Sequence, residues 1–401
     1  MKVVDVSEFY AERGGGVRTY SHAKLAAGAR HGVEVVIVAP GDADREERRE
    51  GGRIVWVKSP PLPLDPRYRV LLRERAVHAV LDAERPDVVE GSSTWTGGHF
   101  VARWRGAAAK ALVFHQDPVA VYPHVLFDRF VSPDVLDDLA SPWWRWLGRL
   151  AHAFDLTVVA GEWLAERLRS RDVPRVEAVP FGIVKRPTRP TADPELRAAL
   201  LRQAGAPENA ALLVGISRHH PEKRLGTVLR GVASANDVRR ERGQTGVALA
   251  LFGDGPLRPW VDREAARFGG TYVAGFTSDR DHLHAALASA DAFVHGSAAE
   301  TYGLVVAEAL DAGLPLVVPS RGGAADLADP RWAETYPPGD ARACAAAILR
   351  LLDRDADTLR AGAKHAAVAR VRDLDAHFAH LFARYAELGR PRPRRVTELH
   401  A

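Results

Sequence analysis

The sequence predicts two successive doubly wound α/β domains with a cleft between them, and three observations carry that expectation. Short β-branched runs alternate with helical patterns from end to end, the signature of parallel sheets layered with helices. At 401 residues the chain exceeds one ordinary core and suits two domains of about 150–200 residues. A Pro-spiced segment, from Val184 through Pro187, Pro190 and Pro194, interrupts the alternation, which then begins again.

In the first domain, 1–185, the strands are expected at 2–6, 34–39, 54–57, 87–90, 111–114, 157–160 and 176–179, each a short run rich in valine or isoleucine. Residues 186–206 read as the linker. The second domain, 207–370, restarts with strands at 212–216, 247–252, 271–274, 292–295 and 316–319. Residues 371–389 carry a helix with Phe378, Leu381, Phe382 and Tyr385 on one face at helical spacing. Past it, 390–401 is a basic tail whose Arg390-Pro391-Arg392-Pro393-Arg394-Arg395 reads as a disordered end or an anionic-lipid contact.

Composition narrows the function class. An apolar share of 46% and a charged share of 26% are those of a soluble globular protein. The net charge of +4 is mildly basic, compatible with anionic small molecules or an anionic membrane surface, and the basic residues are too dispersed for a nucleic-acid footprint. The single Cys344 rules out a disulfide framework and any cysteine zinc site. No apolar run approaches the ~18–20 residues of a membrane span, and Met1 to Val6 already reads as a strand, so no signal peptide is expected. A cytoplasmic location is expected, either free or peripheral on the cytoplasmic face of the membrane. Only seven of the 55 basic residues are lysines, so each lysine stands out against an arginine background.

Ligands of open parallel sheets bind beyond the carboxyl ends of the strands. The polar and glycine-rich clusters fall there. Gly14-Gly15-Gly16 lies between the first strand and first helix, where backbone can approach a ligand closely, but it lacks the G-x-G-x-x-G spacing of a dinucleotide site. His115 follows a strand and faces the expected cleft. Arg218 and Lys223 bracket a Pro-containing turn after the first strand of the second domain, as a fork and a point charge for a diphosphate. The adjacent His219 and His220 have no third ligand spaced to join them, so no metal site is expected. Gly253, Asp254, Gly275 and Phe276 close two further strands, where glycine allows a planar base to lie against backbone. Glu300 and Glu308 have seven residues between them. With Gly303 at the turn, Glu300 would precede a helix, Glu308 would lie inside it, and the amides of Tyr302, Gly303, Leu304 and Val305 would face one point. Carboxylates beside a bound phosphate imply hydroxyls to grip, and sugar nucleotides carry both groups.

Together these motifs resemble the retaining family-4 glycosyltransferases of the GT-B fold, along essentially the whole chain. The resemblance implies two Rossmann-like domains facing a central cleft, with the C-terminal helix returning to the first domain. It implies that Arg218 and Lys223 neutralise the donor diphosphate, with the distal phosphate at the helix mouth after Gly303. Glu308 would take the ribose, Glu300 the sugar hydroxyls, and backbone near Gly275-Phe276 the base. His115 would contact the sugar near its transferred carbon, and Gly15 and Gly16 would border the diphosphate and acceptor. No metal and no separate cofactor are implied; the nucleoside diphosphate sugar is itself the donor substrate. Where the family often has glutamate beyond its late Gly-Gly, this chain has Asp326 after Gly322-Gly323, a shorter arm.

The implied reaction moves a hexosyl unit from the nucleoside diphosphate sugar to an acceptor hydroxyl with retention. Lipid, glycan and small-molecule acceptors stay open, because the tryptophan-rich segment 142–150 reads either as a packed helix or as a membrane-interface element. A sugar-nucleotide 2-epimerase of the same build, or a non-catalytic sugar-nucleotide-binding protein, are the alternatives; an oxidoreductase lacks its glycine fingerprint.

Overall fold

The computed structural model describes residues 1–10, 16–62, 65–127, 131–186 and 191–388. Gly15, much of the Pro-rich segment and the tail from residue 389 lie outside these described residues.

Valine-rich runs form the centre of an eight-stranded sheet. Its order is Val176–Ala178, Leu156–Val159, Ala109–Phe114, Val88–Gly91, Lys2–Val6, Glu34–Gly41, Gly52–Lys58 and Arg45–Arg49. All neighbours are parallel except the last pair. Arg45–Arg49, five consecutive charged residues, carries no apolar signal and was not expected as a strand. It pairs antiparallel with Gly52–Lys58 at the sheet edge, where charge discourages further pairing. The second sheet is entirely parallel and six-stranded: Thr271–Gly275, Val247–Phe252, Ala211–Ile216, Ala292–Val294, Leu316–Pro319 and Ala333–Tyr336. Its last strand, AETY, is short and half polar, and sequence reading passed over it.

Strand order reverses direction beside Lys2–Val6 in the first sheet and beside Ala211–Ile216 in the second. Those are the switch points at which crossover helices part to opposite faces and leave a crevice. Each sheet is covered on both faces by apolar helices, giving four buried clusters.

The 186–206 linker expectation needs correction. Pro194–Gln203 is a helix, N-capped by Asp193 and buried through Leu200 and Leu201 in the core of the second sheet. Proline at its first position is compatible with a helix start, which is why a Pro-rich stretch hid it. The chain leaves the first domain through Gly182–Ile183 and re-enters alongside it through Arg372–Asp373, the two pairing in parallel. A Cβ on Gly182 would lie 2.4 Å from Asp373 O, so glycine permits this double crossing. The helix Leu374–Leu388 then buries Phe378, Leu381, Phe382 and Tyr385 with Val3, Leu25 and Val35 of the first domain.

Candidate active site

The floor of the site comes from the second sheet's switch point. Ala211–Ile216 delivers the loop Ser217 to Arg224, and Ala292–Val294 delivers His295 and the loop to Gly303. Lys223 Nζ donates to Glu300 Oε1 at 2.6 Å, and His295 Nε2 lies 3.2 Å from the same oxygen. Burial would raise the Glu300 carboxyl, but Lys223 and His295 overcome it and hold the group well below the usual carboxylate range. Glu300 is therefore an anion throughout the working pH range. His295 was expected only as a strand end; a histidine closing an apolar strand beside the Glu300 loop was the available signal.

Gly303 adopts φ 88°, ψ 64°, a left-handed turn that suits glycine, and the helix Leu304–Asp311 starts behind it. The Val306 N–H bonds Gly303 O at 2.9 Å, and the Gly322-Gly323 turn packs so closely that a Cβ on Gly323 would meet Tyr302 N at 2.4 Å. Tyr302 is itself buried, its ring packed against Phe181, while Leu304 and Val305 remain at the mouth. Glu308 accepts from Arg280 at 3.1 Å, and burial pushes its carboxyl up against that arginine's pull.

Lys223 and Glu300 are brought together; Arg218 is not. Its side chain is 60% exposed at the rim, 3.6 Å from Glu222. The Gly253 turn serves a neighbouring loop, since a Cβ there would lie 1.9 Å from Ser217 O. Asp254 is exposed beside it, Gly275 is left-handed (φ 83°), and Phe276 stands 75% exposed at the end of its strand. His219 is buried and His220 pairs with Glu222.

The opposite wall belongs to the first domain. His115 packs edge-on to Tyr20, 5.1 Å between centroids, and 6.0 Å from Phe181. Burial, with Lys24 nearby, lowers its imidazole to about 4 and keeps it neutral, Glu90 opposing weakly. Gly16 opens the helix Gly16–Arg30 with nothing near its missing Cβ. Behind this wall sits a buried charge triad that sequence reading did not find. Lys24 Nζ donates to Asp5 Oδ2 at 2.6 Å and Glu90 Oε1 at 2.5 Å, and Tyr385 of the C-terminal helix donates to Glu90 Oε2 at 2.8 Å.

The two walls touch. Thr301 Oγ1 donates to His115 O at 3.4 Å. Asp326 accepts the Trp163 N–H at 3.1 and 3.0 Å, capping the helix Glu162–Arg169 of the other domain, which has no side-chain cap of its own. A Cβ on Gly161 would sit 2.5 Å from Asp326 Oδ2, so glycine permits the approach. The shorter aspartate arm has a definite partner.

Two family models cover most of the chain: "Glycosyltransferase Family 4" matches residues 14–185 and "Glycosyl transferases group 1" matches 210–354. The chain is 29% identical over 320 residues, 79% of each sequence, to the GDP-mannose-dependent alpha-(1-6)-phosphatidylinositol dimannoside mannosyltransferase of Mycobacterium tuberculosis. Among solved structures it resembles the sucrose-phosphate synthase of Thermosynechococcus elongatus, with TM-score 0.73 and 19% identity over 96% of this chain and 98% of that one. It also resembles HepE of Anabaena in complex with UDP and glucose, with TM-score 0.68 and 16% identity over 96% and 99%.

Proposed function

This chain belongs to glycosyltransferase family 4 and has the GT-B fold, and from that premise we propose that it transfers a mannosyl unit from GDP-mannose to a lipid-borne hydroxyl, with retention and without a metal ion. The family match and the mannosyltransferase likeness support a glycosyltransferase that draws on a nucleotide sugar. What supports the mannosyl donor and lipid acceptor is the activity for which the mycobacterial relative is named.

The observation that carries the mechanism is the Lys223–Glu300 pair beside Gly303. In the proposed complex Lys223 faces the leaving diphosphate, Arg218 swings in from the rim, and the helix start receives the distal phosphate. Glu300 holds sugar hydroxyls and Glu308 the ribose. Bound between Lys223 and His295, Glu300 is a poor nucleophile, which favours front-face substitution over a covalent glycosyl-enzyme. The bond from the anomeric carbon to the diphosphate oxygen breaks and a bond to the acceptor oxygen forms. The acceptor's proton passes to a diphosphate oxygen. His115, neutral at pH 7, offers a hydrogen bond to the sugar rather than taking that proton. One well-placed donor on the leaving group is worth roughly 3–4 kcal/mol.

A thermal-shift panel of UDP-, GDP-, ADP- and TDP-sugars tests the donor, followed by transfer with and without EDTA and NMR of the product anomer. An inverted product, or abolition of transfer by EDTA, contradicts the mechanism.

The membrane contact has its own test. No described helix is long and apolar enough to cross a membrane. Ser141–Ala151 is a helix whose Trp144 is core, 2% exposed, while Trp143 and Trp146 gather with Trp95 and Tyr122 in an aromatic cluster. Liposome co-sedimentation should therefore compare wild type with Trp143→Ala/Trp146→Ala, leaving Trp144 in place. Equal binding by both proteins removes this segment from the interface.

A further inference from the structure

The C-terminal helix Leu374–Leu388 reaches back to the wall that carries His115. The strand pair before it, Gly182 beside Arg372 and Ile183 beside Asp373, brings Pro180 and Phe181 against the helix start. His377 meets both of them and Tyr20, and it is 0% exposed. Its Nδ1 lies 2.9 Å from Pro180 O and its Nε2 lies 2.9 Å from the Tyr20 hydroxyl. A carbonyl only accepts, so Nδ1 carries the proton and the lone pair of Nε2 takes the Tyr20 O–H. Burial agrees with both assignments. It pushes the Tyr20 hydroxyl well above its ordinary range and lowers the His377 imidazole to about 4, so the one stays a donor and the other a neutral ring.

Two rings flank His115. Tyr20 meets it edge-on, and Phe181 lies tilted by 30° at 6.0 Å between centroids. Among the described residues no hydrogen bond holds the His115 imidazole, so these two neighbours set which way its nitrogens face. Both neighbours rest on His377. Tyr20 is tied to it through the hydroxyl, and Phe181 packs perpendicular to it, 5.4 Å between centroids at 89°. Lys24, clamped by Asp5 and Glu90, adds a second hold on Tyr20, its Nζ 5.1 Å from the ring centre. The helix docks through Phe378, Leu381, Phe382 and Tyr385. A histidine buried among them brings two polar nitrogens that must each find a partner, where an apolar side chain would need none. Here both partners lead to the rings around His115.

We propose that His377 is a positioning residue for His115: through Tyr20 and Phe181 it fixes the face that the imidazole turns to the donor sugar. The assignment rests on the transferase reading, in which His115 touches that sugar, and adds to it a residue from the far end of the chain. Placement is what matters here, since a shift of about 1 Å in a group at the reacting centre can cost on the order of 100-fold in rate.

Histidine-ring NMR and kinetics on the full chain test it together. His377→Leu keeps apolar bulk in the helix and removes both hydrogen bonds, Tyr20→Phe removes the hydroxyl alone, and His377→Gln leaves an acceptor for Tyr20. In isotope-labelled protein the His115 ring signal, identified by its loss in His115→Ala, should move in His377→Leu, although no described contact joins the two rings. His377→Leu and Tyr20→Phe should each lower kcat about tenfold or more with the donor KM within about twofold, and His377→Gln should recover most of the loss. In a His115→Ala background neither substitution should slow transfer further, because no imidazole is left to place. A merely structural His377 would lower Tm and leave both the His115 signal and kcat per folded molecule alone. An unmoved His115 signal, an unchanged kcat, or the full extra loss in the His115→Ala background overturns the proposal. Failure of the wild type to bind any nucleoside diphosphate sugar sinks the transferase reading instead, and the His115 signal then decides by itself whether His377 orients that ring.

Discussion

Replacing Asp326 by asparagine should stabilise the protein at neutral pH, by an amount the structure bounds. Burial pushes the Asp326 carboxyl up from 3.8 to about 6, the Trp163 N–H opposing and Glu162 adding to the rise. Two pKa units correspond to roughly 3 kcal/mol, and partial solvent access reduces this to about 1–3 kcal/mol. The raised acid binds its proton more tightly in the folded state. Its contribution is therefore complete below pH 3.8 and is lost as pH rises through about 6. Asparagine keeps an oxygen for the Trp163 N–H, carries no charge and escapes that loss. Melting temperatures of wild type and Asp326→Asn between pH 4 and 8 measure the effect. The variant's lead should grow toward alkaline pH by about 3–9 °C, taking about 3 °C per kcal/mol for domains of this size. Parallel curves refute the reasoning, because the carboxylate would then be as well solvated here as in the unfolded chain. So does a variant less stable at pH 8, which would mean that the helix-start amides favour the ion outright.

Lys223→Ala should reduce transfer at least about a hundredfold in initial-rate assays, through loss of charge opposite the leaving diphosphate, and Glu300→Gln by a similar factor, with both variants folded by circular dichroism. His115→Ala should slow transfer, while the wild-type rate profile shows no inflection near 6.5 from this imidazole. Its folded pKa is lowered to about 4, so its stability contribution is present above 6.5 and lost only as pH falls toward 4; an inflection at 6.5 that vanishes in the variant contradicts the buried, neutral ring. Lys24→Met leaves the buried Asp5 and Glu90 facing each other without a cation, and should cost about 3–5 kcal/mol, read as a lower Tm and soluble yield.

Read alone, the sequence determined the architecture and the floor of the site. Period-2 apolar runs and helical spacing are local patterns, and they located most of the central strands, because strands buried on both faces must be apolar wherever they lie. The E-x7-E element and Lys223, one of seven lysines in an arginine-rich chain, marked the strand ends that converge. What stayed illegible is long-range. Arg45–Arg49 is a strand only because Gly52–Lys58 offers it an edge, and Pro194–Gln203 is a helix held by a core its own residues do not reveal. Lys24 looks like any surface lysine until Asp5 and Glu90 fold around it. His295 against Glu300, and Asp326 capping a helix 163 residues earlier, are likewise made by tertiary approach. The physical reason is the same in each case: a charge or an edge has no preferred partner along the chain, and only packing that removes water decides which opposite group it must meet.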